Sequence, residues 1–162
     1  MYEINTAAVI GAGTMGLGIA GQLANCGVDV CLLDLPSPDE HRNTICERAI
    51  ERLLDENQPG LLHKDNLDRI KIGNIEDDLQ ELANVDWIAE AVVERLDVKK
   101  KLYRQIDEVR KPGSIVSSNT STIPISLLVE DMPESFRAEF AITHFFNPVR
   151  YMRLLELVRG KS

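Results

Sequence analysis

Apolar and polar positions follow two rhythms along this chain, short unbroken apolar runs and longer stretches with helical spacing. Thr6–Ile10 is a short apolar run that stops at Gly11, as a strand buried on both faces does. Thr14–Asn25 carries Met15, Leu17, Ile19, Ala20, Leu23 and Ala24 at helical spacing, and Gly27 stands where a helix C-terminus favours glycine. Val28–Leu33 predicts a second buried strand, ending in Asp34. A strand–helix–strand unit of about thirty residues implies a parallel pair joined by a right-handed crossover.

Further on, Asp39–Glu56 predicts a long amphipathic helix with Ile45, Ala49, Leu53 and Leu54 on one face, ended by Gln58-Pro59-Gly60. Leu61–Ile70 predicts a shorter helix folded back on it. The pair exceeds what a plain crossover needs and reads as an appended helical hairpin. Ile70–Ile72 predicts a short strand, Ile75–Ala83 a short acidic helix and Val85–Val93 the next buried strand. A Lys-rich helix over Asp97–Val109 stops at Pro112-Gly113, and Ser114–Ser117 starts another strand. Ile125–Glu130 reads as a helical turn, and Phe140–Phe145 and Arg153–Val158 as the last strands. The sum is an α/β fold: a Rossmann-type doubly wound, mostly parallel sheet, with a helical hairpin inserted after the second strand and a C-terminal antiparallel strand pair. Residues 1–162 form one domain in this reading, with the insertion at about 39–70. The end straight after a strand suggests a domain cut from a longer protein.

Composition narrows the function classes. At 162 residues, 44% apolar and 27% charged, the chain is an ordinary soluble domain, and its net charge of −8 argues against nonspecific nucleic-acid binding. Cys26, Cys31 and Cys46 lack metal-like spacing and read as free thiols of a reducing compartment, so no metal site is expected. The N-terminus shows no leader pattern and no run is long enough to span a bilayer, so no membrane insertion and a cytoplasmic location are expected. His41 and His63 lie on polar segments and read as solvated.

Gly11-Ala12-Gly13-Thr14-Met15-Gly16 stands between a strand and a helix. There Gly11 permits the tight turn, Gly13 lets a pyrophosphate approach the backbone, and Gly16 lets helix and strand pack closely. The helix start at Thr14 and Met15 offers free N–H donors and a partial positive charge. Asp34, eighteen residues after Gly16, stands where a carboxylate accepts from ribose hydroxyls and repels a 2′-phosphate, which favours NAD over NADP. The bland alternatives are a tight turn without ligand and a solvated loop aspartate.

At the other end, Ser121, His144 and Glu156 fit either a hydrolase triad or a dehydrogenase site. Ser121 lies in Ser-Asn-Thr-Ser-Thr without the glycines of a nucleophile elbow, which disfavours hydrolysis. If the last two strands pair as a hairpin closed by Asn147–Tyr151, His144 falls opposite Glu156, with Cβ atoms about 5 Å apart. A carboxylate on one ring nitrogen fixes the tautomer and leaves the other free to take a proton from a hydroxyl. From spacing alone, a satisfied structural pair fits equally well.

Taken together, the chain resembles the NAD-binding domain of the 3-hydroxyacyl-CoA dehydrogenases, the beta-oxidation enzymes. The resemblance rests on Val9–Gly16, Glu90-Ala91-Val92-Val93-Glu94, Ser118-Asn119-Thr120-Ser121, His144-Phe145-Phe146-Asn147-Pro148 and Glu156, and runs over nearly the whole chain. It implies NAD-dependent oxidation of a 3-hydroxyacyl-CoA to the 3-oxoacyl-CoA, with His144 as general base, Glu156 as its orienting partner and Ser121 on the substrate oxygen. Asn119 and Glu94 would line the nicotinamide side, Lys99 would contact the cofactor, and Asn147 would sit beside the reacting centre. The plainer readings put Lys99 in a solvated run, Lys99–Lys101, and make Glu94 a helix cap.

In the family a C-terminal helical domain, absent from this chain, supplies a further asparagine and carries the contacts of a homo-oligomer. Taken alone, these residues would then bind NAD and turn over poorly. Two departures stand out: Arg42–Arg48 occupies the helix where the family often shows lysines near CoA, and Arg150–Leu155 is more like the long multifunctional members. Two alternatives remain, an NAD-dependent dehydrogenase of small free beta-hydroxy acids and a non-catalytic nucleotide-binding module.

Overall fold

Side chains alternate along the first strand, β1 (Thr6–Ile10): Ala8 and Ile10 are buried on one face of a sheet, Ala7 and Val9 on the other. A strand buried on both faces needs helices on both sides. That is the architecture of the computed structural model, which describes residues 3–38, 41–55 and 59–160. With β2 (Asp29–Asp34), β3 (Ile70–Asn74), β4 (Trp87–Glu90), β5 (Ile115–Ser118), β6 (Phe140–Phe145) and β7 (Leu155–Arg159), β1 forms one seven-stranded sheet in the order β3-β2-β1-β4-β5-β6-β7. All pairings are parallel except β6 with β7, which is antiparallel.

On one face α1 (Thr14–Asn25) and α2 (Thr44–Leu53) bury Leu17, Ile19, Ala20, Ala49 and Leu53 against Val9, Val30 and Leu32. On the other, α3 (Leu96–Val109), α4 (Ile125–Leu128) and α5 (Glu134–Ala138) bury Leu102, Tyr103, Leu128 and Phe136 against Ile10, Leu33 and Ile88. Tyr103, Phe136 and Phe140 form an aromatic cluster there, with ring centroids 5.2–5.8 Å apart. The chain crosses from one face to the other between β1 and β4. That switch point opens a crevice at the C-terminal ends of the strands, where such sheets bind ligands.

Several elements depart from the pattern-based expectation. The helix expected over Asp39–Glu56 is α2, and its expected ends at Asp39, Glu40 and Glu56 lie outside the described residues, as does Gln58. A turn precedes it, with the Thr44 hydroxyl donating to the His41 carbonyl, while Asn43 accepts from the Asn74 amide. Leu61–Ile70 yields only a 3-10 helix, Lys64–Arg69, started by the His63 ring accepting from the Asp65 amide. The insertion is thus one α-helix and one 3-10 helix that pack on α1. Ile75–Ala83 gives a turn and a 3-10 helix at Leu79–Asn84, because the Asn74 side chain captures the Glu76 and Asp77 amides. The run Val85–Val93 shortens to β4, since the Glu90 carboxylate folds back onto the Val92 amide. Missed entirely was α5, although Pro133-Glu134 is a helix-start signal.

Candidate active site and dinucleotide crevice

Each glycine of the first loop answers a different steric demand. Gly11 has φ +107°, and a Cβ there would lie 2.6 Å from the Ala91 carbonyl oxygen. At Gly16 a Cβ would lie 1.7 Å from the Gly11 carbonyl oxygen, so only glycine lets α1 approach β1 this closely. Around Gly13 a Cβ would meet nothing within 4 Å. That open approach lies directly before the first turn of α1, which has no side-chain cap. Thr14 is exposed, and Met15 packs inward beside the core. Uncapped amides beside open space suit an anion.

Asp34 ends β2 beside this loop, partly buried rather than solvated. Its Oδ2 accepts from the Ala12 amide at 2.5 Å and its Oδ1 from the Leu35 amide at 2.7 Å. From the other side the Arg52 guanidinium of α2 donates to the Ala12 carbonyl at 2.9 Å. A cavity of about 940 Å³ opens beside Gly11, Gly13, Asp34 and Val92 and continues down the α3 side past Lys101 to Glu108 and Val109. It covers the β2–β1–β4 part and stops short of β6.

Along the same sheet end, β5 and β6 carry the second group of residues. The expected register holds: His144 pairs with Glu156, and Phe145 with Leu155. His144 Nδ1 lies 2.8 Å from Glu156 Oε2, and its Nε2 lies 3.0 Å from Ser121 Oγ. A carboxylate only accepts, so Nδ1 carries the hydrogen, and in the neutral ring Nε2 is then the acceptor facing the Ser121 hydroxyl. Glu156 is 54% exposed and His144 21%, so the pair opens to the surface rather than lying in the core. The Phe146 ring stands 4.5 Å from the imidazole. Asn119 Oδ1 accepts from the Phe145 amide at 2.8 Å, which ties the loop after β5 to β6. Asn147 is exposed in the turn that follows, next to a cis bond to Pro148. Val149 then packs against Gly18 of α1, joining this loop to the glycine-loop helix.

Glu94 and Lys99 stand differently from their plainer readings. Glu94 does not cap α3; it accepts from the Thr120 hydroxyl and from the Thr122 hydroxyl at 3.2 Å. Burial pushes its carboxyl up, but the Thr120 hydrogen bond and the Lys99 charge outweigh that and hold it below the usual carboxylate range. Lys99 is 1% exposed, not solvated, with Nζ 2.6 Å from Glu90 Oε1 and 3.4 Å from Glu94 Oε2. Glu90 and Arg52 were missed as site residues. A charged residue closing an apolar run, as Glu90 does, was the available signal for the first; nothing in the sequence marks the second.

The remaining candidates lie elsewhere. His41 and His63 are exposed. Cys31 and Cys46 are buried and Cys26 exposed, and burial pushes the Cys31 thiol up to about 12. No helix among the described residues is long and apolar enough to cross a membrane.

Residues 6–162 match the family described as 3-hydroxyacyl-CoA dehydrogenase, NAD binding domain. The chain is 45% identical over 157 residues to a "Probable 3-hydroxyacyl-CoA dehydrogenase" of Deinococcus radiodurans, covering 96% of this chain and 45% of that protein. To a Bacillus subtilis protein of the same name it is 44% identical over 175 residues, covering 99% of this chain and 22% of the relative. Among solved structures it is similar to 3-hydroxybutyryl-CoA dehydrogenase from Escherichia coli K12, with TM-score 0.80 and 36% identity over 96% of this chain and 32% of that one. The chain spans less than half the length of each.

Proposed function

The chain belongs to the 3-hydroxyacyl-CoA dehydrogenase family through its NAD-binding domain, and on that premise we propose that it is the cofactor-binding and proton-transferring part of an enzyme interconverting 3-hydroxyacyl-CoA and 3-oxoacyl-CoA in fatty-acid beta-oxidation. The observation that carries this reading is the chain Ser121 Oγ–His144 Nε2, His144 Nδ1–Glu156 Oε2, standing on the same strand ends as the glycine loop.

The residues present fit the cofactor. Gly13 leaves room for a pyrophosphate, the uncapped start of α1 faces it, and Asp34 stands at the ribose position. Held by these residues, NAD would supply the acceptor for the hydride from C3 of the substrate. The protein supplies the proton chemistry. His144 Nε2 takes the proton of the 3-hydroxyl while Glu156 stabilises the imidazolium that forms. Ser121 donates to the substrate oxygen, where negative charge grows as its proton departs. Asn119 and Glu94 would line the nicotinamide side and Asn147 would sit beside the reacting carbon, whereas Lys99, expected to contact the cofactor, is buried behind Glu94 and would act through that carboxylate.

In the full-length protein a C-terminal helical domain completes the substrate wall and carries the contacts of a homo-oligomer. The exposed Leu155, Leu157 and Val158, on the two faces of the edge strand β7, support a covering partner along this edge. Free Cys26, Cys31 and Cys46 fit a cytoplasmic enzyme. The test is reduction of acetoacetyl-CoA by NADH with the full-length protein, run beside free acetoacetate. Turnover of the thioester alone is expected; equal use of the free acid, or no saturable NADH binding, would overturn the reading.

A further inference from the structure

Glu90 ends β4 with no exposed surface, and its carboxylate is fully engaged. Oε1 accepts from Lys99 Nζ at 2.6 Å and from the Val92 amide at 2.8 Å. Oε2 accepts from Tyr103 OH at 2.6 Å and from Ser118 Oγ at 2.7 Å. Lys99 Nζ also lies 3.4 Å from Ser118 Oγ. Lys99, Tyr103 and Ser118 are themselves buried.

Stability is a weak reason for such a cluster. Taking charges out of water is costly even when they are paired, and apolar residues of similar volume often serve the fold as well. What distinguishes this cluster is where its members lead. Val92 continues into Glu94, and Ala91 beside it packs on Gly11 and Gly16. Ser118 opens the segment carrying Asn119 and Ser121. Lys99 reaches past Glu90 to Glu94, which in turn accepts from Thr120 and Thr122 on either side of Ser121. One buried carboxylate thus ties together the loops after β4 and β5 and the start of α3.

We propose that Glu90 is a positioning residue for the nicotinamide half of the cofactor, acting through Lys99 on Glu94 and through Ser118 on the Asn119–Ser121 segment. The inference rests on the NAD-binding reading above. The adenosine half would lie along the Asp34 side of the crevice, which Glu90 meets only through the Val92 amide and not through Lys99, Glu94 or Ser118, so the two halves should respond differently.

The test is calorimetric titration of the folded chain and its variants with NADH and with ADP-ribose, which lacks the nicotinamide. Glu90→Gln keeps the shape and removes the charge that holds Lys99. Its NADH affinity should fall about tenfold, the worth of one charge-assisted contact, while ADP-ribose stays within about twofold. Tyr103→Phe, which deletes one donor to the carboxylate and keeps the ring on Phe136 and Phe140, should move in the same direction by about threefold. It decides the matter if Glu90→Gln fails to fold. An unchanged NADH affinity overturns the proposal, and so does equal weakening of both ligands, the sign of a merely structural residue. Both outcomes leave the NAD-binding reading intact. If the parent chain binds neither ligand, that reading falls, and this one with it.

Discussion

His144 on β6 and Glu156 on β7 are cross-strand partners, with Oε2 of the carboxylate 2.8 Å from Nδ1 of the ring. Side chains alternate faces along a strand, so a slip of one residue in this hairpin would put the two on opposite faces of the sheet. The tautomer that leaves Nε2 as acceptor toward Ser121 Oγ is therefore set by the pairing register, and the register by the turn between the strands.

Glu156→Gln should leave the ring in place but weaken its hold on the tautomer and on the imidazolium. In the full-length enzyme, kcat for acetoacetyl-CoA reduction should fall by about 10²–10⁴-fold, and His144→Gln should lose at least as much. NADH affinity should stay within about twofold in both, because neither side chain lines the cavity beside Gly13. A His144→Gln enzyme with near-parental turnover would remove the histidine from the mechanism.

The glycines should separate by function. Gly16→Ala places a Cβ 1.7 Å from the Gly11 carbonyl oxygen, so it should lower Tm and cost about 1–3 kcal/mol or more. Gly13→Val meets no protein atom within 4 Å at its Cβ. It should leave Tm nearly unchanged yet weaken NADH binding at least tenfold by filling the space of the pyrophosphate. Thermal melts and fluorescence titrations of the two variants decide it; matched losses of Tm would refute the division.

Most of the parallel sheet and this hairpin were legible because one rule governs each. Buried parallel strands read as unbroken apolar runs, which located Thr6–Ile10 and Phe140–Phe145 to the residue. The pairing of His144 with Glu156 followed from hairpin arithmetic. Side-chain capture of the backbone hid the rest. Asn74 stops a helix by holding two amides, and Glu90 ends a strand by folding onto Val92. Such contacts depend on neighbours distant in sequence, and apolar periodicity does not encode them. For the same reason Lys99 read as one of a lysine run, although Glu90 draws it into the interior.

Asp34 offers a test of cofactor choice. Its carboxylate anchors the Ala12 amide and, in the function proposed above, would face the ribose of the cofactor. Asp34→Asn keeps an oxygen for Ala12 and removes the charge. Two like charges a few ångströms apart repel by about 1–4 kcal/mol near a surface, so preference for NADH over NADPH should fall about tenfold or more. Parallel titrations with both nucleotides measure it, and an unchanged ratio would place the discrimination elsewhere.

Acid sensitivity should centre on Asp86, which links the start of β1 to β4. Its Oδ1 accepts from Lys111 Nζ at 2.6 Å, and its Oδ2 accepts from the Asn5 and Thr6 amides at 3.0 Å. The Lys111 hydrogen bond first, then the Asn5 amide, hold its carboxyl well below the usual carboxylate range. A depressed folded pKa means that the unfolded chain binds the proton more readily in acid. The stabilisation is therefore complete above the unfolded value, about pH 4, and is lost as pH falls further. Asp86→Asn should be less stable than the parent at pH 7 by about 1 kcal/mol, a modest figure because solvent screens the pair. The gap should narrow by pH 3, where the unfolded parent chain takes up the proton at Asp86 while the folded one still holds the carboxylate. Urea unfolding at the two pH values is the measurement, and a gap independent of pH would show that packing, not charge, makes the contact.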